Sequence, residues 1–237
     1  METEVRYTYA DYRRLPDDER WQLIRGKLVR EPAPTPPHQF VCLEVARALM
    51  DAAEPSPSEA QHEGSPPRVA GPQVEVYSLE HRAGVVLTSP IDVVLSEEDV
   101  LQPDVIFISR QREDIITSES INGAPDLVVE ILSPSTEARD RGVKMELYAA
   151  HGVREYWIVD PACTTVEVYR ARPADAAGRP AEAAGPAAKA ESTSREEPGS
   201  LEPVLALHAV YRPGQILATP LIPGLALNPG RLFRRYL

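Results

Sequence analysis

Cysteine is nearly absent from this sequence. Only Cys42 and Cys163 occur, and neither belongs to a paired-cysteine zinc motif. A disulfide framework and a zinc knuckle are set aside on that ground, and both thiols are expected to be reduced and structural. Long hydrophobic runs are missing too, with nothing near the ~18 consecutive apolar residues of a membrane span. The N-terminal METEVRYTYADYRRL places acids and tyrosines where a secretory signal needs an unbroken apolar stretch. A soluble, cytoplasmic protein without a membrane partner is expected. Basic charge is scarce: 25 Lys and Arg face 36 Asp and Glu, a net charge of −11 at pH 7. That argues against binding nucleic acid through a broad basic surface. Such a ligand would have to be met locally, or through metal ions that offset the acids.

What the chain does have is enough apolar residue, 43%, for a real core. Its length suits a single domain spanning 1–237. Two stretches read as insertions. Residues 53–72 (AEPSPSEAQHEGSPPRVAGP) and 171–203 (ARPADAAGRPAEAAGPAAKAESTSREEPGSLEP) are rich in Pro, Ser, Ala and charge. Neither buries enough apolar surface to offset the entropy of ordering its backbone, so both are expected to be flexible.

Between them, elements alternate compactly. A short helix is predicted at Tyr9–Leu15, stopped by Pro16. Trp21–Ile24 and Leu28–Arg30 flank a glycine turn and predict a hairpin. Val41, Val45, Ala48, Leu49 and Ala52 recur at spacings of three and four, predicting an amphipathic helix over 37–53. Strands are predicted at 74–79, 84–88, 91–95, 105–109, 126–132, 156–160, 165–169 and 207–211. A helix is predicted at about 136–151, with Ser133-Pro134-Ser135-Thr136 offering a hydroxyl cap and Gly152 a C-cap. The expected hairpins at 74–88 and 156–169 give the sheet an antiparallel share within an α/β fold.

The sharpest anomaly is Leu127-Val128-Val129-Glu130-Ile131-Leu132, an aliphatic run with a carboxylate inside it. A strand covered on both faces reads this way. An ionised Glu there must be neutralised, paired or metal-bound, and a structural pairing with an Arg is the competing explanation. Asp104 stands at the mouth of a second core strand, after Gln102-Pro103 and before Val105-Ile106-Phe107-Ile108. Alone it is an ordinary turn acid. On adjacent strands, the two acids could form an all-oxygen site of the kind Mg²⁺ favours. Lys144, on the helix after Glu130, could place positive charge on a phosphate or orient an attacking water. Asp140 lies four residues before it, on the same helix face.

The segment from Pro125 through Ser133-Pro134-Ser135-Thr136, Asp140, Lys144 and Tyr148 to Gly152-Val153-Arg154-Glu155-Tyr156-Trp157-Ile158-Val159-Asp160-Pro161 resembles the Uma2 family (DUF820). That family belongs to the PD-(D/E)xK nuclease superfamily. The resemblance extends upstream through Gln102-Pro103-Asp104, the strand Pro90–Leu95, Trp21–Gly26 and His38. It implies a restriction endonuclease-like core, in which helices flank a central mixed β-sheet, with an N-terminal β-rich extension. It further implies a Mg²⁺- or Mn²⁺-dependent endonuclease acting on nucleic acid, DNA foremost. Asp104 and Glu130 would be the metal ligands and Lys144 the catalytic lysine, displaced to the helix because the usual position holds Leu132. His38 and Asp140 would be auxiliary acid/base or orienting groups, and Glu44 would point towards them. The simpler roles are a helix cap for His38, an intrahelical pair for Asp140 and a solvated face for Glu44. Gln22 and Arg25 replace the acids of the family's usual hairpin. Because such folds often pair to cut both strands, a homodimer is implied. Arg231, Arg234 and Arg235 could meet phosphate or simply solvate a helix end. The alternative function is an inactive nuclease fold that binds DNA or a protein, favoured by the net acidity and the lack of a DNA-reading motif.

Overall fold

The computed structural model describes residues 5–16, 19–54, 82–173 and 203–234. Its helices are α1 (Tyr9–Tyr12), α2 (Pro36–Ala53), α3 (Glu137–Arg139) and α4 (Met145–Ala150). Its strands are β1 (Trp21–Ile24), β2 (Lys27–Arg30), β3 (Gly84–Thr88), β4 (Val93–Ser96), β5 (Asp99–Leu101), β6 (Val105–Ser109) and β7 (Ile121–Asn122). They continue with β8 (Leu127–Ile131), β9 (Glu155–Asp160), β10 (Thr165–Pro173), β11 (Pro203–Tyr211), β12 (Leu217–Thr219) and β13 (Ile222–Leu227).

A six-stranded sheet, in the order β11-β10-β9-β8-β6-β3, forms the centre. It is mixed: β8 and β9 run parallel, while β6 pairs antiparallel with both β8 and β3. The parallel pair requires a crossover, and the segment carrying α3 and α4 supplies it. Alternation on β8 splits the core in two. Leu127, Val129 and Ile131 join the layer built by α2, β12 and β13, with Val45, Leu49, Leu225 and Phe233. Val128 and Leu132 join the opposite layer with Leu147, Tyr148, Tyr156 and Ile158. Glu130 shares the parity of Val128, so it points into that second layer. The N-terminal hairpin β1–β2 joins β5, β4 and β7 from the middle of the chain in a second sheet, β2-β1-β5-β4-β7, whose Ile24, Val93, Leu101 and Ile121 close the same layer. The architecture is thus the expected mixed α/β arrangement.

The β1–β2 turn is made by Arg25 (φ 50°) and Gly26 (φ 73°). Positive φ at both central residues is the turn whose twist suits a hairpin, and glycine takes the second position without steric cost.

The structure also differs from the pattern-based reading. The helix expected over 136–151 is interrupted. Asp140–Lys144 is a π-turn in which Gly142 leaves helical dihedrals (φ −110°, ψ −109°). The hydroxyls of Ser133, Ser135 and Thr136 do not cap α3: Ser133 Oγ lies 3.1 Å from Ser135 Oγ and 3.0 Å from Thr136 Oγ1. Gly152 behaves as expected after α4, and Val153 N–H closes onto Tyr148 O at 2.9 Å. Ala53, which opens the first expected insertion, is instead buried at the end of α2. Of the second expected insertion, residues 171–173 continue β10 and Pro203 opens β11. Residues 55–81 and 174–202, including the strand expected at 74–79, lie outside the described residues. β5, β7 and β12, of two or three residues each, carried too short a pattern to be predicted, and the pattern of β13 is interrupted by Pro223-Gly224. Cys42 is buried, as expected of a structural thiol, whereas Cys163 is exposed. No described helix is long and apolar enough to cross a membrane.

Candidate active site

Val105 on β6 pairs with Val129 on β8. One step further along that register, Asp104 comes opposite Glu130. The step is confirmed by a side-chain contact, as Asp104 Oδ2 accepts the N–H of Ile131 at 2.8 Å. The two acids that stood apart in the sequence therefore meet at the end of the central strands. They line one cleft of about 230 Å³ together with His38, Asp140 and Lys144.

Glu130 is 3% exposed. Lys144 Nζ donates to its Oε1 at 2.9 Å, and the Tyr148 hydroxyl donates to the same oxygen at 2.7 Å. Both hydrogen bonds fall on Oε1. Among the described residues, Oε2 has no donor. Burial is the largest influence on this carboxyl and pushes it up, to about 8; Lys144 opposes, and Asp140 and Asp104 reinforce the rise. Lys144, 2% exposed, is held charged above the ordinary lysine range despite its burial, because Glu130 and Asp140 outweigh desolvation. Its Nζ lies 3.0 Å from Asp140 Oδ1. That contact is out of line for a hydrogen bond, so Asp140 Oδ1 is buried next to charge but without a donor. The Tyr148 ring packs on that of Tyr156, with centroids 5.2 Å apart, and Tyr156 OH donates to Asp140 O at 3.0 Å. Two aromatic rings thus support the polar cluster.

His38 reaches the cleft from the first turn of α2. Its Nε2 is 3.1 Å from Ile131 O and 3.2 Å from Asp104 Oδ2. Two acceptors around Nε2 place a proton on that nitrogen. Burial alone would lower the pKa of His38, but Asp104, Ile131 O and Asp140 outweigh it and hold it above the ordinary histidine value. Its Nδ1 is buried without a partner among the described residues. Cys42, one helical turn on, donates from Sγ to Asp104 O at 3.4 Å, and burial pushes this thiol up to about 12.

The five residues singled out in the sequence, Asp104, Glu130, Lys144, His38 and Asp140, are thus gathered in one place. Glu44 is not among them. It pairs with Arg47 at 2.7 Å and lines a different cleft, between α2 and β13. Sequence reasoning missed Glu31 and Arg20, which flank the β1–β2 hairpin and line the site cleft. Glu31 Oε1 accepts from Gln22 Nε2 at 2.5 Å and from Arg139 Nη2 at 2.6 Å. Gln22, which stands in place of a family acid, therefore contributes by steering Glu31. Arg25 instead pairs with Glu146 at 2.7 Å, away from the cleft. Arg231 and Arg234 lie after β13, far in sequence from the cleft residues, and Arg235 is outside the described residues.

Comparison with known proteins bears on the family and the fold. Residues 56–199 match the sequence model of the Uma2 family, described as “Putative restriction endonuclease”. The match includes Asp104, Glu130, Asp140 and Lys144, while His38, Arg20 and Glu31 precede it. The “Uncharacterized protein slr1290” of Synechocystis sp. (strain ATCC 27184 / PCC 6803 / Kazusa) is 48% identical over 46 residues. That stretch covers 19% of this chain and 24% of the cyanobacterial protein, so it reaches only about a quarter of that relative. The crystal structure of a “putative nuclease belonging to DUF820” from Anabaena variabilis ATCC 29413 superposes with a TM-score of 0.61 at 18% identity. The likeness covers 97% of this chain and 99% of that one. On the family match and this shared architecture together, the chain belongs to the Uma2 family and has a restriction endonuclease-like fold.

Proposed function

We propose that this protein is a divalent-metal-dependent endonuclease that hydrolyses DNA phosphodiesters, with Asp104 and Glu130 as metal ligands. The observation that carries the reading is the convergence of these two carboxylates, from antiparallel neighbours, on one cleft with a buried lysine. The donor chemistry fits a hard cation. Asp104 and Glu130 offer oxygen only, and Glu130 Oε2 lacks a donor among the described residues. The described residues hold no cluster of three or more His, Cys, Asp and Glu arranged for a metal. Two carboxylates with waters and substrate phosphate completing the shell is the usual Mg²⁺ arrangement, and it does not suit zinc. Mg²⁺ or Mn²⁺ would supply charge neutralisation at the phosphate and acidification of water.

The chain's own groups divide the remaining work. Lys144 balances Glu130 and Asp140 and places positive charge where negative charge develops at phosphorus. Tyr148 fixes the rotamer of Glu130 through Oε1, leaving Oε2 to bind. His38 holds Asp104 through Nε2. Asp140 keeps Lys144 charged and aimed. By analogy with the fold, we expect the active form to be a cytoplasmic homodimer.

The test is calorimetric titration of Mn²⁺ and Mg²⁺ into the wild type and Asp104→Asn, with plasmid nicking on the same preparations. The wild type is expected to bind metal and nick, and the variant to do neither. A wild type that binds no metal even with an oligonucleotide present would leave a nuclease fold used only for binding.

A further inference from the structure

The cleft is poor in free positive charge. Asp104, Glu130, Asp140 and Glu31 line it, and Lys144 is committed to two of them. A phosphodiester entering this cleft in a chain of net charge −11 is repelled wherever neither a metal nor a free side-chain cation offsets the acids. Arg20 lines the cleft without a carboxylate partner among the described residues.

Arg20 precedes β1 and is half-buried in the cleft wall. Its Nη2 donates to Ser89 Oγ at 2.7 Å, and Nε and Nη2 approach Gln102 Oε1 at 3.4 and 3.5 Å. All of these acceptors are neutral. Other half-buried arginines are matched to carboxylates: Arg82 to Glu113, Arg112 to Asp126, Arg139 to Glu31, Arg141 to Glu167 and Arg170 to Glu155. Arg20 has no carboxylate partner among the described residues. Its orientation is nonetheless fixed. Gln102 Nε2 donates to Asp92 Oδ1 at 2.9 Å and to Tyr12 OH at 3.3 Å, which turns the amide oxygen towards Arg20. Gln102 is also two residues from Asp104, so the clamp and the first site acid are set by one segment. In the same cleft, the hydroxyls of Ser133, Ser135 and Thr136 bond only one another among the described residues and are available to a second phosphate oxygen.

We propose that Arg20 is the substrate-phosphate clamp of this cleft, seating a DNA phosphodiester between its guanidinium and the Ser133–Thr136 hydroxyls. The assignment rests on the nuclease reading above. A guanidinium suits the role because its fork presents two parallel donors to phosphate oxygens, which an ammonium cannot. Its side chain is already ordered, so little rotamer freedom is lost on binding.

The experiment is fluorescence anisotropy of a labelled duplex oligonucleotide with the wild type, Arg20→Ala and Arg20→Lys across a salt series. Ca²⁺ replaces Mg²⁺ to limit turnover. Plasmid nicking under Mg²⁺ and calorimetric Mn²⁺ binding are followed in parallel. Arg20→Ala is expected to bind DNA roughly 10- to 100-fold more weakly and to lose about one unit of the log–log salt slope. Its Mn²⁺ binding stays unchanged, and in nicking KM rises far more than kcat falls. Arg20→Lys keeps the salt slope but recovers only part of the affinity, which separates loss of the fork from loss of the fold. Wild-type affinity and slope in Arg20→Ala overturn the clamp, and leave the nuclease reading standing if nicking persists. Weakened binding by the variant with no nicking by the wild type keeps the clamp and removes the nuclease. A wild type that neither binds nor nicks overturns both.

Discussion

Two glutamates, on neighbouring strands of the same sheet, are equally buried and differently bonded. Glu130 is on β8 and Glu155 on β9, at 3% and 2% exposure. Glu155 shares its parity with Trp157 and Val159 and faces the α2 layer, opposite to Glu130. Donors reach both of its oxygens. Oε1 takes Trp157 Nε1 at 3.2 Å and Arg170 Nε at 3.5 Å, and Oε2 takes the Thr219 hydroxyl. Glu155 therefore pins β12 and β10 to the central strands. Glu130 receives both of its donors on one oxygen and has carboxylate neighbours as well. Depth is the same for both acids, and what differs is the distribution of donors over the two oxygens; under the proposed function, that difference separates a structural acid from a metal ligand.

The comparison breaks most visibly at Lys144. Lys144→Met leaves Glu130 and Asp140 buried without their cation, a loss expected to cost roughly 3–5 kcal/mol of stability together with nicking. Chemical denaturation measures it. A variant as stable as the wild type would mean that the acids had already been neutralised by protons.

A paired substitution sharpens the contrast. Glu130→Gln is expected to reduce single-turnover nicking by roughly 100- to 1,000-fold while leaving the melting temperature unchanged or higher. Glu155→Gln is expected to do the reverse, losing about 1–3 kcal/mol of stability with nicking per folded molecule intact. Equal effects on both properties in both variants would erase the distinction.

The smallest effect is the pH response of His38. Its folded pKa is raised above the ordinary 6.5, so its stabilisation is fully present below that value. It is lost as pH rises through the higher folded pKa. Denaturation midpoints at pH 5.5 and 8.5 are expected to fall less in His38→Gln than in the wild type, by under about 1 kcal/mol. A steeper fall in the variant would place the neutral imidazole in the fold.

Glu130 was legible because an acid inside an aliphatic run is costly on its own, and Asp104 because it opens a second such run. Lys144 drew notice as the lysine on the element after Glu130 and Asp140 as its neighbour on one helix face, but the family resemblance gave them their site roles, and the π-turn between them was not foreseen. A single glycine in a helical pattern costs only ~1 kcal/mol and does not announce a break. Glu44 misled, yet its position was arguable from the start. Six residues beyond His38 is about one and two-thirds turns of helix, which puts it on another face of α2. Arg20 and Glu31 left no signal, because their meaning depends on the β1–β5 pairing at Leu23 and Val100, a contact between distant segments. Nor did Glu155 stand out, since it lies at the edge of its apolar run and its partners Arg170 and Thr219 come from much later in the chain.

The break at Gly142 changes the phase of a helix. Residues on a continuous α-helix keep a fixed angular relation, about 100° per step, so one face serves one neighbour. Here Arg139 reaches back to Glu31 of the N-terminal hairpin, Arg141 grips Glu167 on β10, and Lys144 turns inward to Glu130. Three cations within six residues engage three separate parts of the molecule. The slipped turn works like a vernier: small angular offsets, set by one residue, let a short segment address the hairpin, β10 and the centre of the sheet at once.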